Sequence, residues 1–254
     1  MSAPLPRHRS RRKDCRDRRV VNDDPAAADH LGPLETIDVR LPWSGRRLEI
    51  VHPTDLDLLL DRVEADPEQN LPYWAEVWPS GIALADAIAC EPGIVRGKRT
   101  LELGCGLGIT AIEALQAGAD LWAVDYFPDA LARCRENCCR NTGAAPRTIA
   151  ANWRALDDGA IDAPGGWPVI LAADVLYERR DVEPLLTAID RLLAPNGVFW
   201  LAEPGRPPAA AWLEALREIG WGIESRRHPG PWPDPGDDGV EVGLHRLRRP
   251  QSRG

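Results

Sequence analysis

Residues 101–108, with the sequence LELGCGLG, form a glycine-rich string that closes a predicted strand and opens a predicted helix. Glycine at Gly104, Gly106 and Gly108 allows the backbone to turn sharply and to approach a ligand closely. A strand, a glycine-rich turn and a helix in this order are typical of a nucleotide-like cofactor site. The string therefore favours folds that are built from β-α-β units.

The rest of the chain continues this alternation of strands and helices. Val169–Ala173 is an almost uninterrupted apolar run, which is typical of a strand that is buried on both faces. An apolar stripe over residues 182–193 predicts an amphipathic helix. The other predicted strands are Thr100–Leu103, Leu121–Asp125, Val198–Ala202 after a turn at 195–197, and a final pair at Gly222–Arg227 and Val240–Leu247. We therefore expect an α/β fold with a mostly parallel sheet and helices on both faces.

The first 95 residues predict a different organisation. Residues 1–33 are polar, rich in Arg and Pro and without a hydrophobic period, so we expect a disordered basic arm. Alternating runs at Thr36–Leu41 and Arg47–His52 predict a hairpin, and a helix follows it. The expected organisation is a basic arm at 1–33 and a single domain at 34–248, in which residues 34–95 cap a core formed by residues 96–248.

The charge of the chain is unevenly distributed. Residues 1–20 carry eight Arg or Lys against two Asp, a balance of +6, which leaves −14 on the remainder of a chain whose net charge is −8. Proteins that bind nucleic acid usually present a basic face, so the acidic body argues against nucleic acid as a partner. The arm could contact nucleic acid or could be a solvated tail.

The composition also bears on the compartment. No apolar run is long enough to span a bilayer, and the basic start is not followed by the apolar stretch of a signal peptide. The six cysteines lack the spacing of a metal site, so we expect no metal and interpret them as structural thiols. These features predict a cytoplasmic protein with no membrane contact. They predict nothing about its oligomeric state.

Two carboxylates distinguish between the cofactor classes that use such a turn. Asp125 ends the next strand, where a carboxylate can accept both hydroxyl groups of a ribose. A dinucleotide site has a third glycine at the position that Ile109 occupies here. Glu102 would lie unfavourably beside a pyrophosphate, whereas a carboxylate there suits a cation, such as the sulfonium and amino groups of S-adenosylmethionine.

With these residues the chain resembles the class I, Rossmann-like S-adenosylmethionine-dependent methyltransferases over nearly all of residues 35–248. It is similar in particular to the lysine-methyltransferase-like branch, methyltransferase family 16, which includes the electron-transfer-flavoprotein lysine methyltransferases. The stretches that carry this narrower similarity are PYWAEVWPSG at 72–81, Asn152-Trp153, DVLY at 174–177 and EPGR at 203–206. The resemblance implies a seven-stranded sheet with an antiparallel last strand and S-adenosylmethionine as cofactor.

The resemblance also implies which residues contact that cofactor. Trp78 would lie beside its methionine end and Trp153 beside its adenine, because Trp offers a flat face for stacking and for cation–π contact. Core packing is the alternative for each Trp. Relatives often have Asp where this chain has Asn152. The full set of expected cofactor contacts is Trp78, Glu102, Gly104, Gly106, Gly108, Asp125, Tyr126, Asn152, Trp153 and Ala173.

Asp174 and Tyr177 are the candidate catalytic residues. They follow the buried strand at its carboxyl end, where open α/β sheets place their active sites. Lysine-modifying relatives carry an Asp/Glu-x-x-Tyr/Phe string here. Methyl transfer needs a neutral nucleophile in line with the methyl group, so a carboxylate could hold the amine and an aromatic ring could steady its cationic product. The alternative is that Asp174 caps a turn and Tyr177 packs.

The function predicted from these features is S-adenosylmethionine-dependent N-methylation of a protein, at a lysine or an N-terminal amine. The chain lacks the Asn/Asp-Pro-Pro-Tyr string of relatives that methylate amide or adenine nitrogen. Three alternatives stay open at this point: a small-molecule N- or O-methyltransferase, a catalytically silent protein that binds S-adenosylmethionine, and a dehydrogenase that binds NAD.

Overall fold

The structure, a computed structural model, describes residues 29–250 except residues 62, 64, 65, 67, 69, 157 and 158. The helices are α1 (Leu56–Leu60), α2 (Pro79–Cys90), α3 (Ile109–Gln116), α4 (Pro128–Thr142), α5 (Val182–Leu192) and α6 (Pro207–Glu218). The strands are β1 (Leu34–Arg40), β2 (Arg47–Pro53), β3 (Arg99–Leu103), β4 (Asp120–Asp125), β5 (Arg147–Ala150), β6 (Trp167–Ala173), β7 (Leu193–Glu203), β8 (Gly222–His228) and β9 (Val242–Arg248).

Seven of these strands form one sheet in the order β5-β4-β3-β6-β7-β9-β8. The pairings from β5 to β7 are parallel, and β9 runs antiparallel to both of its neighbours. Strands β1 and β2 form a separate antiparallel pair. The predicted fold class, a mostly parallel Rossmann-like sheet with an antiparallel last strand and a small N-terminal hairpin, is confirmed.

Helices cover both faces of the sheet because side chains of the central strands alternate between two cores. In β6, Val169 and Leu171 pack in the cluster that contains residues of α2, α3 and α4. Ile170 and Ala172 pack in the cluster that contains residues of α5 and α6. Burial on both faces is what the continuous apolar run of this strand predicted.

The N-terminal hairpin packs on the first of these clusters, to which Val39 and Leu48 belong. Asn137 of α4 holds it there: its Oδ1 accepts from the backbone N–H of Val51 at 2.9 Å, and its Nδ2 donates to the carbonyls of Val51 and Leu107 at 3.1 and 2.9 Å. The same amide therefore ties the hairpin to the glycine-rich turn. Of the predicted arm at 1–33, residues 1–28 lie outside the described residues, and Leu31 is buried in this cluster.

Two local predictions differ from the structure. The predicted turn at 195–197 is wrong, because these residues lie within β7 as an irregularity: Trp167 of β6 pairs with Leu193, while Val169 pairs with Val198. The cysteines also differ, since Cys139 is disulfide-bonded, whereas four others among the described residues are free. No helix in the described part of the chain is long and apolar enough to cross a membrane.

Candidate functional site

A cavity of about 290 Å³ opens at the carboxyl ends of β3, β4 and β6. Parallel α/β sheets place ligands at this edge. The cavity is lined by all ten residues that were expected to contact a cofactor and by both candidate catalytic residues. Five further residues that precede α2 also line it: Asn70, Leu71, Tyr73, Trp74 and Glu76. The structure thus brings the twelve predicted site residues together around one space.

The glycine-rich turn forms the floor of this cavity and uses backbone angles that favour glycine. Gly106 has φ +48°, and a Cβ there would lie 3.3 Å from the carbonyl oxygen of Trp74. Gly108, which precedes α3, has φ +83°, and a Cβ there would lie 2.8 Å from Sγ and 2.9 Å from Cα of Cys134. Gly106 therefore lets the Trp74 backbone approach the turn, and Gly108 lets α3 pack closely on α4.

Glu102 is the most unusual charged residue of the cavity. Its side chain lies at the end of β3, with the residue 3% exposed, and its Oε2 has no hydrogen-bond partner among the described residues. Burial raises the pKa of Glu102 well above its ordinary value, and the neighbouring Cys134 and Asp125 raise it further. A buried polar atom without a partner is costly, so its presence points to a ligand that donates to it.

Asp125 organises the turn as well as facing the cavity. Its Oδ2 accepts from the backbone N–H of Gly106 at 2.9 Å, and its Oδ1 accepts from that of Phe127 at 3.1 Å. Burial raises the pKa of Asp125 to about 6, although these two hydrogen bonds lower it. Each carboxylate oxygen retains a further lone pair, so the side chain can still accept from the hydroxyl groups of a ligand.

Three further residues that were expected to contact the cofactor, Trp153, Asn152 and Tyr126, line the cavity. Trp153 is 7% exposed and packs in the second core cluster while also lining the cavity. Asn152 accepts from the backbone N–H of Arg154 through its Oδ1, at 3.0 Å. Tyr126 donates to Oδ1 of Asp66 at 2.6 Å, and this hydrogen bond is the main cause that raises its pKa to about 12.

Three aromatic rings that contact one another also line the cavity. The ring of Tyr73 meets the rings of Trp78 and Tyr177 edge-on, at centroid distances of 5.7 and 5.3 Å. The indole N–H of Trp78 donates to the carbonyl of Tyr73 at 2.8 Å, which fixes the indole in place. The sequence analysis gave Tyr73 no role, although it lies within the 72–81 stretch that carried the resemblance.

Asp174 is already paired within the protein. Arg206 donates to it twice, from Nε to Oδ1 at 2.9 Å and from Nη2 to Oδ2 at 3.0 Å. Asp174 is the one described non-glycine residue with a positive φ, at +53°. The sequence analysis had treated Asp174 as the carboxylate that could hold the amine. It missed Arg206 as the partner of Asp174, although Arg206 stands in the EPGR stretch.

Arg154 is the third residue that the sequence analysis missed. Its guanidinium donates to Oδ1 of Asp181 at 2.6 Å, to the hydroxyl oxygen of Tyr177 at 2.6 Å and to Oδ1 of Asn70 at 2.7 Å. It therefore links Tyr177 to Asn70, which also lines the cavity. These partners are 27, 23 and 84 residues away in sequence, so no local pattern indicated them.

The arrangement is suited to a ligand with three kinds of group. A cationic donor can satisfy the unpaired oxygen of Glu102. Ribose-like hydroxyl groups can donate to Asp125, and a flat heterocycle can stack beside Trp153. The aromatic rings and Asp174 line the same cavity and are available to contact a second molecule. In the described part of the chain, no group of three or more His, Cys, Asp or Glu could hold a metal ion.

Comparisons with known proteins agree with this geometry. Residues 101–199 match a family model described as a methyltransferase domain. The chain is 31% identical over 160 residues to a protein named histone-arginine methyltransferase METTL23 from Xenopus laevis, which covers 61% of this chain and 67% of that protein. It is 35% identical over 141 residues to the electron transfer flavoprotein beta subunit lysine methyltransferase of Xenopus laevis, but spans only about half of that relative (53% of each chain).

A solved structure supports the fold alone. Magnesium protoporphyrin IX methyltransferase from Synechocystis, with bound S-adenosylmethionine, matches with a TM-score of 0.52 and 14% sequence identity. The match covers 77% of this chain and 98% of that one. At this level of identity the likeness concerns the arrangement of the sheet and helices rather than the substrate.

Proposed function

Because this chain belongs to the class I S-adenosylmethionine-dependent methyltransferases, we propose that it methylates a nitrogen atom of a protein, at a lysine side chain or an N-terminal amine. The relatives described above carry names of protein methyltransferases, for arginine in one case and lysine in the other. S-adenosylmethionine is the cofactor, and when bound it supplies an electrophilic methyl group on a sulfonium.

The residues at the floor of the cavity would hold this cofactor. Glu102 would accept from its amino group, Asp125 from its ribose hydroxyl groups, and Asn152 and Trp153 would contact its adenine. The observation that carries the proposal is the unpartnered Oε2 of Glu102 inside the same cavity as the aromatic rings and Asp174. Oε1 of Glu113 also lacks a partner, but the other oxygen of that carboxylate pairs with Arg46 outside the cavity. Glu102 differs in that its side chain has no hydrogen bond or ion pair with any described residue and lines the cavity, so a ligand is the available donor.

The aromatic end of the cavity would receive the acceptor. Methyl transfer needs the nitrogen lone pair aligned with the methyl group, and positioning of this kind is a large part of catalysis. The rings of Tyr73, Trp78 and Tyr177 can hold the alkyl chain of a lysine and then steady the positive charge of the methylated product. Asp174 provides a hydrogen-bond acceptor for the amine at the same end.

The surroundings of this end favour a basic protein segment. Glu76 lines the cavity, and its side chain has no hydrogen bond or ion pair with any described residue. Burial raises its pKa, and the charges of Asp234 and Asp237 raise it further. These three carboxylates are not part of the Asp174–Arg206 pair, and their charge would attract the basic residues that flank the acceptor in a protein substrate.

We also propose a reducing compartment, the cytoplasm. Cys105, Cys134 and Cys138 are buried free thiols that adjoin one another beside the turn. Thiols in such proximity persist where disulfides are kept reduced. The disulfide of Cys139 argues in the opposite direction, because disulfides are rare in the cytosol. A reduced Cys139 in cell extracts would support the cytoplasm, and an intact disulfide would contradict it.

The experiment that tests the function uses S-adenosylmethionine with a tritiated methyl group. The protein is incubated with cell lysate, and the label is then sorted into protein, nucleic acid and small molecules. We expect label in protein, with release of S-adenosylhomocysteine, and its loss in Glu102→Gln. Glu113→Gln is the matched control, because Glu113 is equally buried but lies outside the cavity. Label confined to small molecules or nucleic acid would refute the proposal.

A further inference from the structure

The ion pair between Asp174 and Arg206 lies at the place where the acceptor would enter. Both hydrogen bonds of the pair have ordinary lengths, 2.9 and 3.0 Å, and both residues line the cavity. The side chain of Asp174 is 9% exposed and that of Arg206 is 35% exposed. The guanidinium carbon of Arg206 lies 5.9 Å from the ring centroid of Trp78, so the cation also faces the aromatic wall.

Hydrogen bonds at the end of β7 hold the backbone next to Arg206. Oε2 of Glu203 accepts from the backbone N–H of Gly205 at 2.6 Å, and Nε2 of His245 lies 3.0 Å from Oε1 of Glu203. The backbone N–H of Asp174 donates to the carbonyl of Ala202 at 2.9 Å. Backbone hydrogen bonds at the end of β7 therefore hold both residues of the ion pair in position.

We propose that Arg206 is a positioning residue for the methyl acceptor: by pairing with Asp174 it balances the charge of the acceptor end, so that an incoming primary amine remains a neutral nucleophile. This inference rests on the proposed function, protein N-methylation. Arg206 would in this way determine which kind of nitrogen can be methylated.

The reasoning follows from the chemistry of amines. A lysine side chain has an ordinary pKa of about 10.4, and an unpaired carboxylate beside it would stabilise the ammonium form, which has no lone pair to react. A guanidinium beside it has the opposite effect. In the transfer, the lone pair of the amine forms the N–C bond while the S–C bond of S-adenosylmethionine breaks and its electron pair stays on sulfur. The proton of the ammonium leaves to solvent beforehand.

The same pair discriminates against arginine as an acceptor. A guanidinium stays charged at every physiological pH, so it cannot enter as a neutral group. Both oxygens of Asp174 already accept from the guanidinium of Arg206, so a second guanidinium cannot make the same two-point contact, whereas an amine needs only one remaining lone pair. The acceptor class is therefore a primary amine, unlike the arginine named for the METTL23 relative.

Other charged and titratable groups face this pair from the neighbouring elements. Asp174, Tyr73 and Glu203 act on Arg206, and its hydrogen bonds with Asp174 are the main cause that raises the pKa of the guanidinium. Asp237 faces Asp174. Burial raises the pKa of Glu203, but its hydrogen bonds with His245 and Gly205 outweigh burial and hold the pKa below its ordinary value. Arg206 therefore keeps its charge over the alkaline range in which an amine titrates.

The test measures kcat and KM for label transfer to lysate protein between pH 6.5 and 10. Arg206→Gln removes the cation, so the alkaline midpoint of kcat should move up by about one pH unit or more, with a lower KM. Arg206→Lys keeps the charge and should retain the wild-type midpoint while turning over more slowly. Asp174→Asn leaves Arg206 unpaired and should move the midpoint down. Arg226→Gln is the matched control, since Arg226 pairs with Glu91 outside the cavity at 39% exposure.

The outcomes separate this inference from the proposed function. Midpoints that stay fixed in both Arg206→Gln and Asp174→Asn, with cofactor affinity intact, would overturn the role of Arg206 while leaving protein methylation standing. Methyl-arginine as the product would overturn the preference for an amine. A wild-type enzyme that labels no protein would overturn the proposed function, and the inference with it. Opposite shifts in the two variants support it even if one variant is weakened in folding.

Discussion

Glu102→Gln tests whether Glu102 serves to bind a ligand or to stabilise the fold. Gln keeps the size of the side chain but carries no charge and needs no proton. In the free protein, burial raises the pKa of Glu102 well above 4.5, and Oε2 has no partner among the described residues. Ionisation of this carboxyl group therefore does not stabilise the free folded protein. It would stabilise a complex in which a cation is bound beside the carboxylate.

The sign of the stability effect follows from linkage. Above pH 4.5 the carboxyl group ionises in the unfolded chain while it still holds its proton in the folded one, so rising pH favours unfolding of the wild type. Gln does not titrate. The stability of the variant relative to wild type should therefore increase from pH 4 to pH 8. At pH 7 the gain is at most about 3 kcal/mol, the free energy of keeping a proton at that pH on a carboxyl group with an ordinary pKa of 4.5.

Cofactor affinity should change in the opposite direction. A hydrogen bond to a charged group contributes about 1.5–3 kcal/mol, so the variant should bind S-adenosylmethionine about 10- to 150-fold more weakly. Denaturant unfolding at several pH values measures the first effect, and calorimetric titration measures the second. Glu113→Gln should leave affinity unchanged, because Glu113 pairs with Arg46 away from the cavity.

Two results would refute this reasoning. If Glu102→Gln loses stability relative to wild type as the pH rises, Glu102 is an ionised structural residue with a protein partner. If the affinity for S-adenosylmethionine is unchanged, the unpartnered oxygen does not face the cofactor.

The remaining predictions concern other residues of the cavity. Since burial raises the pKa of Asp125 to about 6, affinity for S-adenosylmethionine in calorimetry should fall as the pH drops below about 6, and Asp125→Asn should bind weakly without this pH dependence. Gly108→Ala should lower the free energy of unfolding by about 3 kcal/mol or more, because the new Cβ collides with α4. Gly45 also has a positive φ but has open space around it, so Gly45→Ala should lower that free energy by only about 1–2 kcal/mol. Denaturant unfolding measures both. Tyr177→Phe keeps the ring but removes the oxygen that accepts from Arg154, so kcat should fall modestly while cofactor affinity is retained. An unchanged kcat would show that this hydrogen bond does not contribute to catalysis.

The sheet could be predicted from the sequence where its strands are buried on both faces. The short apolar runs at β4 and β6 predicted where these strands lie, because a short segment with almost all of its side chains apolar is typical of a strand buried on both faces. Strand β5 was not delimited by the pattern: it lies at the edge of the sheet, and its four residues are only half-buried or exposed. Residues 195–197 were predicted to form a turn because Pro, Asn and Gly favour turns, and pairing with β6 overrode that preference.

The site could be predicted to the extent that its residues come from strand ends and the glycine-rich turn. The carboxyl ends of parallel strands meet at one edge, so Glu102, Asp125 and Asp174 were expected to lie together. The partners of these residues could not be predicted in the same way. Arg154 and Arg206 reach their partners through long side chains across loops that are distant in sequence, and only the folded chain brings them together.

The most direct test of the account is the chemical identity of the methylated group. Lysate protein labelled by the wild-type enzyme and S-adenosylmethionine is hydrolysed to amino acids, and the labelled products are separated. The account predicts methyl-lysine or an N-methylated terminal residue, formed together with S-adenosylhomocysteine. Labelled methyl-arginine would contradict the role given to Arg206, and the absence of any labelled amino acid would contradict the proposal of protein methylation itself.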